Sequence, residues 1–169
     1  MKIASMNDLF LEQIEDLYDA EQRLVKALPK MADAVTSGEL RQAIRSHLAE
    51  TEGHVRRLEQ VFQQIGKKPK GQTCDAMKGL ISEGEDMVSD TEESPVRDAG
   101  VIAAANRVEH YEIAAYGSAS AFAKALGLRE ADQLLRATLA EEKKADEKLT
   151  QIAESKVNQD ALYTVPVAH

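Results

Sequence analysis

The chain has 169 residues, length for one domain with a buried core, and its 4% aromatics and absent Trp leave that core to Leu, Ile, Val, Met and Ala. That composition suits helices rather than sheets, and a formal net charge of −8 argues against nucleic acid or an anionic membrane as partner. Cys74 stands alone, which excludes a disulfide framework, a Cys-x-x-Cys redox pair and a cysteine zinc cage.

The N-terminus lacks a signal-like apolar run and no stretch has membrane-spanning length, so a soluble, cytoplasmic protein is expected. The first long helix starts near Asp8, with Ser5-x-x-Asp8 as a capping-box signal. Its stripe runs Phe10, Ile14, Leu17, Glu21, Leu24, Leu28, Met31, and Glu21 is the one ionisable residue on it. Pro29 is expected to kink the last turn. Thr36-Ser37-Gly38 then breaks the chain, with Ser37 as cap of a second helix from about Glu39 to Ile65. There the stripe reads Leu40, Ile44, His47, Thr51, His54, Leu58, Val61, Ile65, with Glu50 on the edge shared by His47 and His54.

Gly66-Lys67-Lys68-Pro69-Lys70-Gly71 is a turn-rich basic exit, read as a solvated loop. A weaker helix follows at Cys74, Met77, Ile81, Gly84 and Val88, with Cys74 read as a buried small hydrophobe and the methionines as gap fillers. Ser94-Pro95 marks the cap and first residue of the third long helix. The stretch between the second and third long helices is too long for a tight turn and suffices to travel back along a bundle.

In the third long helix Ile102, Ala105, Glu109, Glu112, Tyr116, Ala119, Ala123 and Leu126 share a seam, and two glutamates occupy its middle. Gly127 supplies its C-terminal stop. The fourth helix carries Leu135, Leu139, Glu142, Asp146, Leu149 and Ala153 on its seam, and Glu141 competes with Glu142 for the inward position. After Val157 no period is evident, so residues 158–169 are expected to be a loosely ordered tail on a domain spanning 1–157. A faint echo links the halves: Leu48-Ala49-Glu50 matches Leu139-Ala140-Glu141, and the same offset carries Glu21 onto Glu112.

Each long helix thus has an apolar seam interrupted by acids at mid-length, and in a bundle those levels coincide. Glu21, Glu50, Glu109, Glu112 and Glu142, with Asp146, would crowd more negative charge than burial tolerates. Two divalent cations would offset most of it. Oxygen-rich ligands with one or two imidazoles favour iron, with manganese the alternative. His54 is open between metal ligand and structural histidine. His47 is read as structural or as a support behind the ligands, and His110 as a hydrogen-bond partner off the seam. Tyr18 and Tyr116, one turn from Glu21 and Glu112, are open between core packing and contact with ligand carboxylates.

The stretches Asp19-Ala20-Glu21, His47-Leu48-Ala49-Glu50-Thr51, Val108-Glu109-His110-Tyr111-Glu112-Ile113-Ala114 and Leu139-Ala140-Glu141-Glu142-Lys143 resemble the YciF-type branch of the ferritin-like superfamily. That resemblance implies a ferritin-like all-α four-helix bundle with one long crossover carrying a short extra helix. It also implies a homodimer, a link to bacterial stress responses and a rubrerythrin-like dinuclear metal centre. Carried over by position, Glu21, Glu50, Glu109, Glu112 and Glu142 fall on the superfamily's ligand positions. The chain departs from the usual Glu-x-x-His: Gly53 and Ala145 stand where the histidines would, and His54 and Asp146 come one residue later.

Three functions compete at this point. The leading one is a di-metal centre reacting with dioxygen or peroxide, with any reducing partner a separate molecule. The others are iron sequestration or storage, which needs a multi-subunit shell, and a non-catalytic helical scaffold with a degenerate site.

Overall fold

The computed structural model describes residues 3–164. Its helices are, in order, α1 (Met6–Ala34), α2 (Gly38–Gln64), α3 (Asp75–Ser89), α4 (Pro95–Ala125) and α5 (Arg129–Ile152). The last continues through a π-helical turn, Ala153–Val157, into α6 (Asn158–Leu162). No strand occurs among the described residues, so the chain is an all-α bundle.

Local chemistry sets the helix ends. The Ser5 hydroxyl accepts from the Asp8 N–H, and the Asp8 carboxylate accepts from the Ala4 N–H in return. Ser37 and Ser94 cap α2 and α4 in the same way, through the N–H groups of Leu40 and Arg97. Pro29 stops nothing; α1 runs through it to Ala34. Gly127 adopts φ +75°, and the N–H groups of Leu128 and Gly127 turn back to the carbonyls of Ala123 and Lys124. Those two bonds satisfy the last free carbonyls of α4, and a side chain at Gly127 would strain the turn.

Two apolar clusters fill the bundle. One draws on the C-terminal halves of α1 and α5 and the N-terminal halves of α2 and α4, with Leu24, Leu28, Ile44, Ile102, Ala105, Leu149 and Ile152. The other takes the opposite halves, with Phe10, Ile14, Leu58, Phe62, Ala119, Ala123 and Leu135. Hence α1 and α5 run one way and α2 and α4 the other, which requires the long crossover. Within it α3 packs on α4 and α1. The crossover is tied down by the Cys74 N–H donating to the Asp19 carboxylate at 2.8 Å and the Gln72 N–H donating to the Glu15 carbonyl. Cys74 is buried as expected, and its Sγ also caps α3 by accepting from the Met77 N–H.

Residues 158–162, expected to be loose, form α6, which follows the π turn without a break. None of its side chains is buried, so there is no apolar stripe by which the sequence could announce it. The rest of the expected tail, 165–169, lies outside the described residues. No described helix is long and apolar enough to cross a membrane.

Candidate metal centre

Between the two apolar clusters lies one polar layer. It holds Glu21 from α1, His47, Thr51 and His54 from α2, Glu109 and Glu112 from α4 and Glu142 from α5, all buried. The seven-residue step from His47 to His54 is two helical turns, so both imidazoles leave α2 on one face. Glu109 and Glu112 are one turn apart on α4.

The donor atoms fall into two groups, each with its atoms within 4.8 Å of one another: His47, Glu109, Glu112 and Glu142, and Glu21, His54 and Glu142. Glu142 belongs to both. His47 Nε2 lies 3.3 Å from Glu109 Oε1, and His54 Nδ1 lies 3.0 Å from Glu142 Oε1 and 3.3 Å from Glu21 Oε1. These approaches are close, but the atoms are not aligned as hydrogen bonds. Both nitrogens of His47, Nδ1 of His54, both oxygens of Glu112 and Glu142, Oε2 of Glu21 and Oε2 of Glu109 have no hydrogen-bond partner.

A buried polar atom left unpaired costs about 1–3 kcal/mol, and this layer concentrates many of them. Four carboxylates match two divalent cations in charge, and oxygen donors with two imidazoles suit iron or manganese. The donor set therefore fits a pair of divalent ions. The residues that would hold them are Glu21, His47, His54, Glu109, Glu112 and Glu142.

Without cations the layer holds protons tightly. Burial, reinforced by neighbouring carboxylates, raises Glu21 and Glu112 above the ordinary carboxylate range and Glu109 to about 8. Burial alone would lower the two histidines. The carboxylates outweigh it: Glu50, Glu109 and Glu142 raise His47 to about 9, and Glu142 and Glu21 raise His54 to about 10.

One side of the layer is buttressed from behind. His54 Nε2 donates to Glu141 Oε2 at 2.9 Å, and Arg57 grips both oxygens of Glu141 at 2.5 and 2.8 Å while also donating to the Thr138 hydroxyl. The Arg57 guanidinium holds the Glu141 carboxyl below its usual range. This carboxylate fixes the tautomer that presents Nδ1 to Glu21 and Glu142. Tyr116, fully buried, donates to Glu21 Oε1 and leaves Oε2 free.

Of the residues anticipated from sequence, Glu21, His54, Glu109, Glu112 and Glu142 come together here. Glu50 and Asp146 do not join either group. Glu50 sits outward of His47, 3.5 Å from Nδ1 with a half-exposed side chain. Asp146 faces His110, 3.4 Å from Nε2, on the outer seam of α4 and α5. Glu142 takes the inward position, and Glu141 lies behind His54. His47, read as structural or as a support, stands among the donors themselves. The signal for it was present, since His47 lies on the α2 stripe and Glu50 one position off it. Arg57 was not anticipated at all. Tyr116 contacts the Glu21 carboxylate, whereas Tyr18 donates to Glu59 at the bundle's edge.

Comparisons agree with this architecture. Residues 5–162 match a family described as Domain of unknown function (DUF892). The chain is 44% identical to Protein YciF of Escherichia coli (strain K12) over 162 residues, 95% of this chain and 98% of that protein. The crystal structure of the E. coli stress protein YciF superposes with a TM-score of 0.89, covering 93% of this chain and 99% of that one. YcfI from Rhodopseudomonas palustris, described as a candidate structural protein, gives 0.88 at 43% identity, covering 90% and 97%. A protein from Xanthomonas campestris pv. campestris shares the fold at 18% identity, with a TM-score of 0.73 over 91% and 94%.

Proposed function

The chain belongs to the DUF892 family, as a homologue of the stress protein YciF, and from that premise and the buried layer we propose a stress-response protein that holds two iron ions, or manganese, and reacts with dioxygen or peroxide. The observation that carries this reading is the double group sharing Glu142, with its inward nitrogens and oxygens unpaired. Bound divalent iron or manganese supplies electrons and an open coordination position to the oxidant.

What the chain itself does follows from geometry. Glu21, His54 and Glu142 would hold one ion, and His47, Glu109, Glu112 and Glu142 the other. Arg57 and Glu141 fix the His54 ring before any ion arrives, so little ordering is left to do on binding. Tyr116 locks Glu21 in one rotamer. The apolar cluster of Phe10, Ile14, Leu58 and Phe62 keeps bulk water from the carboxylates on its side. With no paired cysteines in the sequence, electrons to reset the centre come from a separate donor.

The test is to load the metal-free protein with ferrous iron under argon and then admit air or hydrogen peroxide. A near-ultraviolet ferric band should grow in with the protein and be absent in Glu112→Ala. A metal-bound protein whose iron stays ferrous under both oxidants would overturn the redox reading. A protein that binds no iron would leave the helical scaffold as the function.

A further inference from the structure

A cavity of about 520 Å³ opens between α2 and α5 and ends on one side of the metal layer. Its walls are apolar, formed by Leu28, Ile44, Ala105 and Leu149, and its floor is His47 and Glu109. At the mouth Lys148 and Glu39 pair at 2.9 Å, which leaves the rim close to neutral there. His54 and Glu21 do not line it, so only the group containing His47 has this approach.

The size is informative. Dioxygen or hydrogen peroxide needs about the space of one water, roughly 30 Å³. A cavity within the roughly 300–1,000 Å³ range of ligand pockets suits an organic molecule instead. The walls call for an apolar body. Lys144 lines the cavity as well and Glu50 stands beside His47, so charges of both signs border the floor. A neutral head that can both donate and accept a hydrogen bond meets His47 and Glu109 without repulsion.

We propose that this cavity binds an organic hydroperoxide, its apolar body between α2 and α5 and its neutral –OOH head against His47 and Glu109. The assignment rests on the peroxide reading above and names its substrate class. The cavity side of the layer is the substrate side; the side buttressed by Glu141 and Arg57 is not.

Binding can be read without any metal. Cumyl alcohol, a stable surrogate for cumene hydroperoxide, is titrated by calorimetry into metal-free protein, with cumene, which lacks the hydroxyl, as the comparison. Cumyl alcohol should bind, cumene about tenfold more weakly, and Ala43→Leu and Ala145→Leu, which each narrow the cavity, should weaken the alcohol about tenfold. Thermal melts and manganese content of both variants check that fold and metal layer survive, and a variant failing either is set aside for the other. Protein loaded with ferrous iron, whose two electrons reduce the O–O bond to alcohol and water in a single turnover, should then form its ferric band more slowly with cumene hydroperoxide in the narrowed variants, while band formation with hydrogen peroxide holds. No binding of the alcohol, cumene binding as tightly as the alcohol, or unchanged affinity in the narrowed variants would each overturn the proposal. Metal content and the ferric band formed with hydrogen peroxide, measured alongside, show whether the metal reading stands by itself.

Discussion

The two halves of the bundle on either side of the buried polar layer are built from the same four helices but sealed to different degrees. In the half holding Phe10, Ile14, Leu58, Phe62, Ala123 and Leu135, side chains are 0–1% exposed, with Tyr18 at the edge the exception. In the other half Leu28, Ile44, Ala105 and Leu149 keep 4–8%, and all four line the cavity. Phe10 and Phe62 fill the first half; the buried core of the second has no phenylalanine, and its walls part only at the cavity. The difference teaches how one chain can close a buried polar layer on one side and leave an approach to it on the other.

The largest effect should come from the sealed half. Phe62→Ala should cost about 3–5 kcal/mol of unfolding free energy, because nothing can refill the void. Leu28→Ala, on the cavity wall, should cost about 2 kcal/mol, since solvent can enter there. Urea melts of the two check this; equal losses would erase the distinction between the halves.

Arg57→Ala sharpens the comparison within the layer. Loss of the support behind Glu141 and His54 should weaken metal binding about 10–100-fold. It should leave cumyl alcohol binding to the metal-free protein unchanged, because the cavity lies on the other side. Competition of manganese with a chelator, beside the alcohol titration, measures both.

The pH dependence follows from the direction of the shifts. Glu109 at about 8, His47 at about 9 and His54 at about 10 all hold protons more tightly folded than unfolded, and Glu21 and Glu112 shift the same way. The stability they contribute to the metal-free protein is present at acid pH and is lost as pH rises through those values. Cations displace the same protons, so metal affinity rises with pH. The gap in melting temperature between manganese-loaded and metal-free protein should therefore widen from about pH 6 to about pH 9. Calorimetry at both ends checks it, and a gap that narrows would contradict the ligand set.

The smallest effect belongs outside both halves. His110→Ala removes an exposed ring facing Asp146, and should change stability by less than about 0.5 kcal/mol with metal content untouched. A loss of metal would bring Asp146 back as a ligand.

Much of this was legible in the seams. Period and caps yield four long helices because each carries a long stripe, and a serine caps α1, α2 and α4. Helix α5 has no side-chain cap and is legible from its stripe and the Gly127 stop before it. The layer is legible because charged residues replace Leu at one level. Register within a turn is harder: Glu50 fits the superfamily's spacing, but the stripe through Leu40, Ile44, His47 and His54 puts His47 inside and Glu50 at its edge. The internal echo carried the same information. Glu50 pairs by offset with Glu141, and both stand behind a histidine; Glu142 pairs with Thr51, which is buried and donates its hydroxyl to the His47 carbonyl. Asp146 misled because a four-residue step from Glu142 turns about 40° around the helix, enough to set it beside His110 of α4 rather than in the layer. The cavity left no trace in the pattern, since Ala and Leu on a stripe read alike whether packed or lining a space.

Equilibrium dialysis of the metal-free protein against manganese, for wild type and Glu142→Ala, bears most directly on the central claim. Because Glu142 belongs to both groups, the account predicts about two ions per chain in wild type and none held tightly in the variant. Wild type taking up no ion, or the variant keeping both, would contradict it.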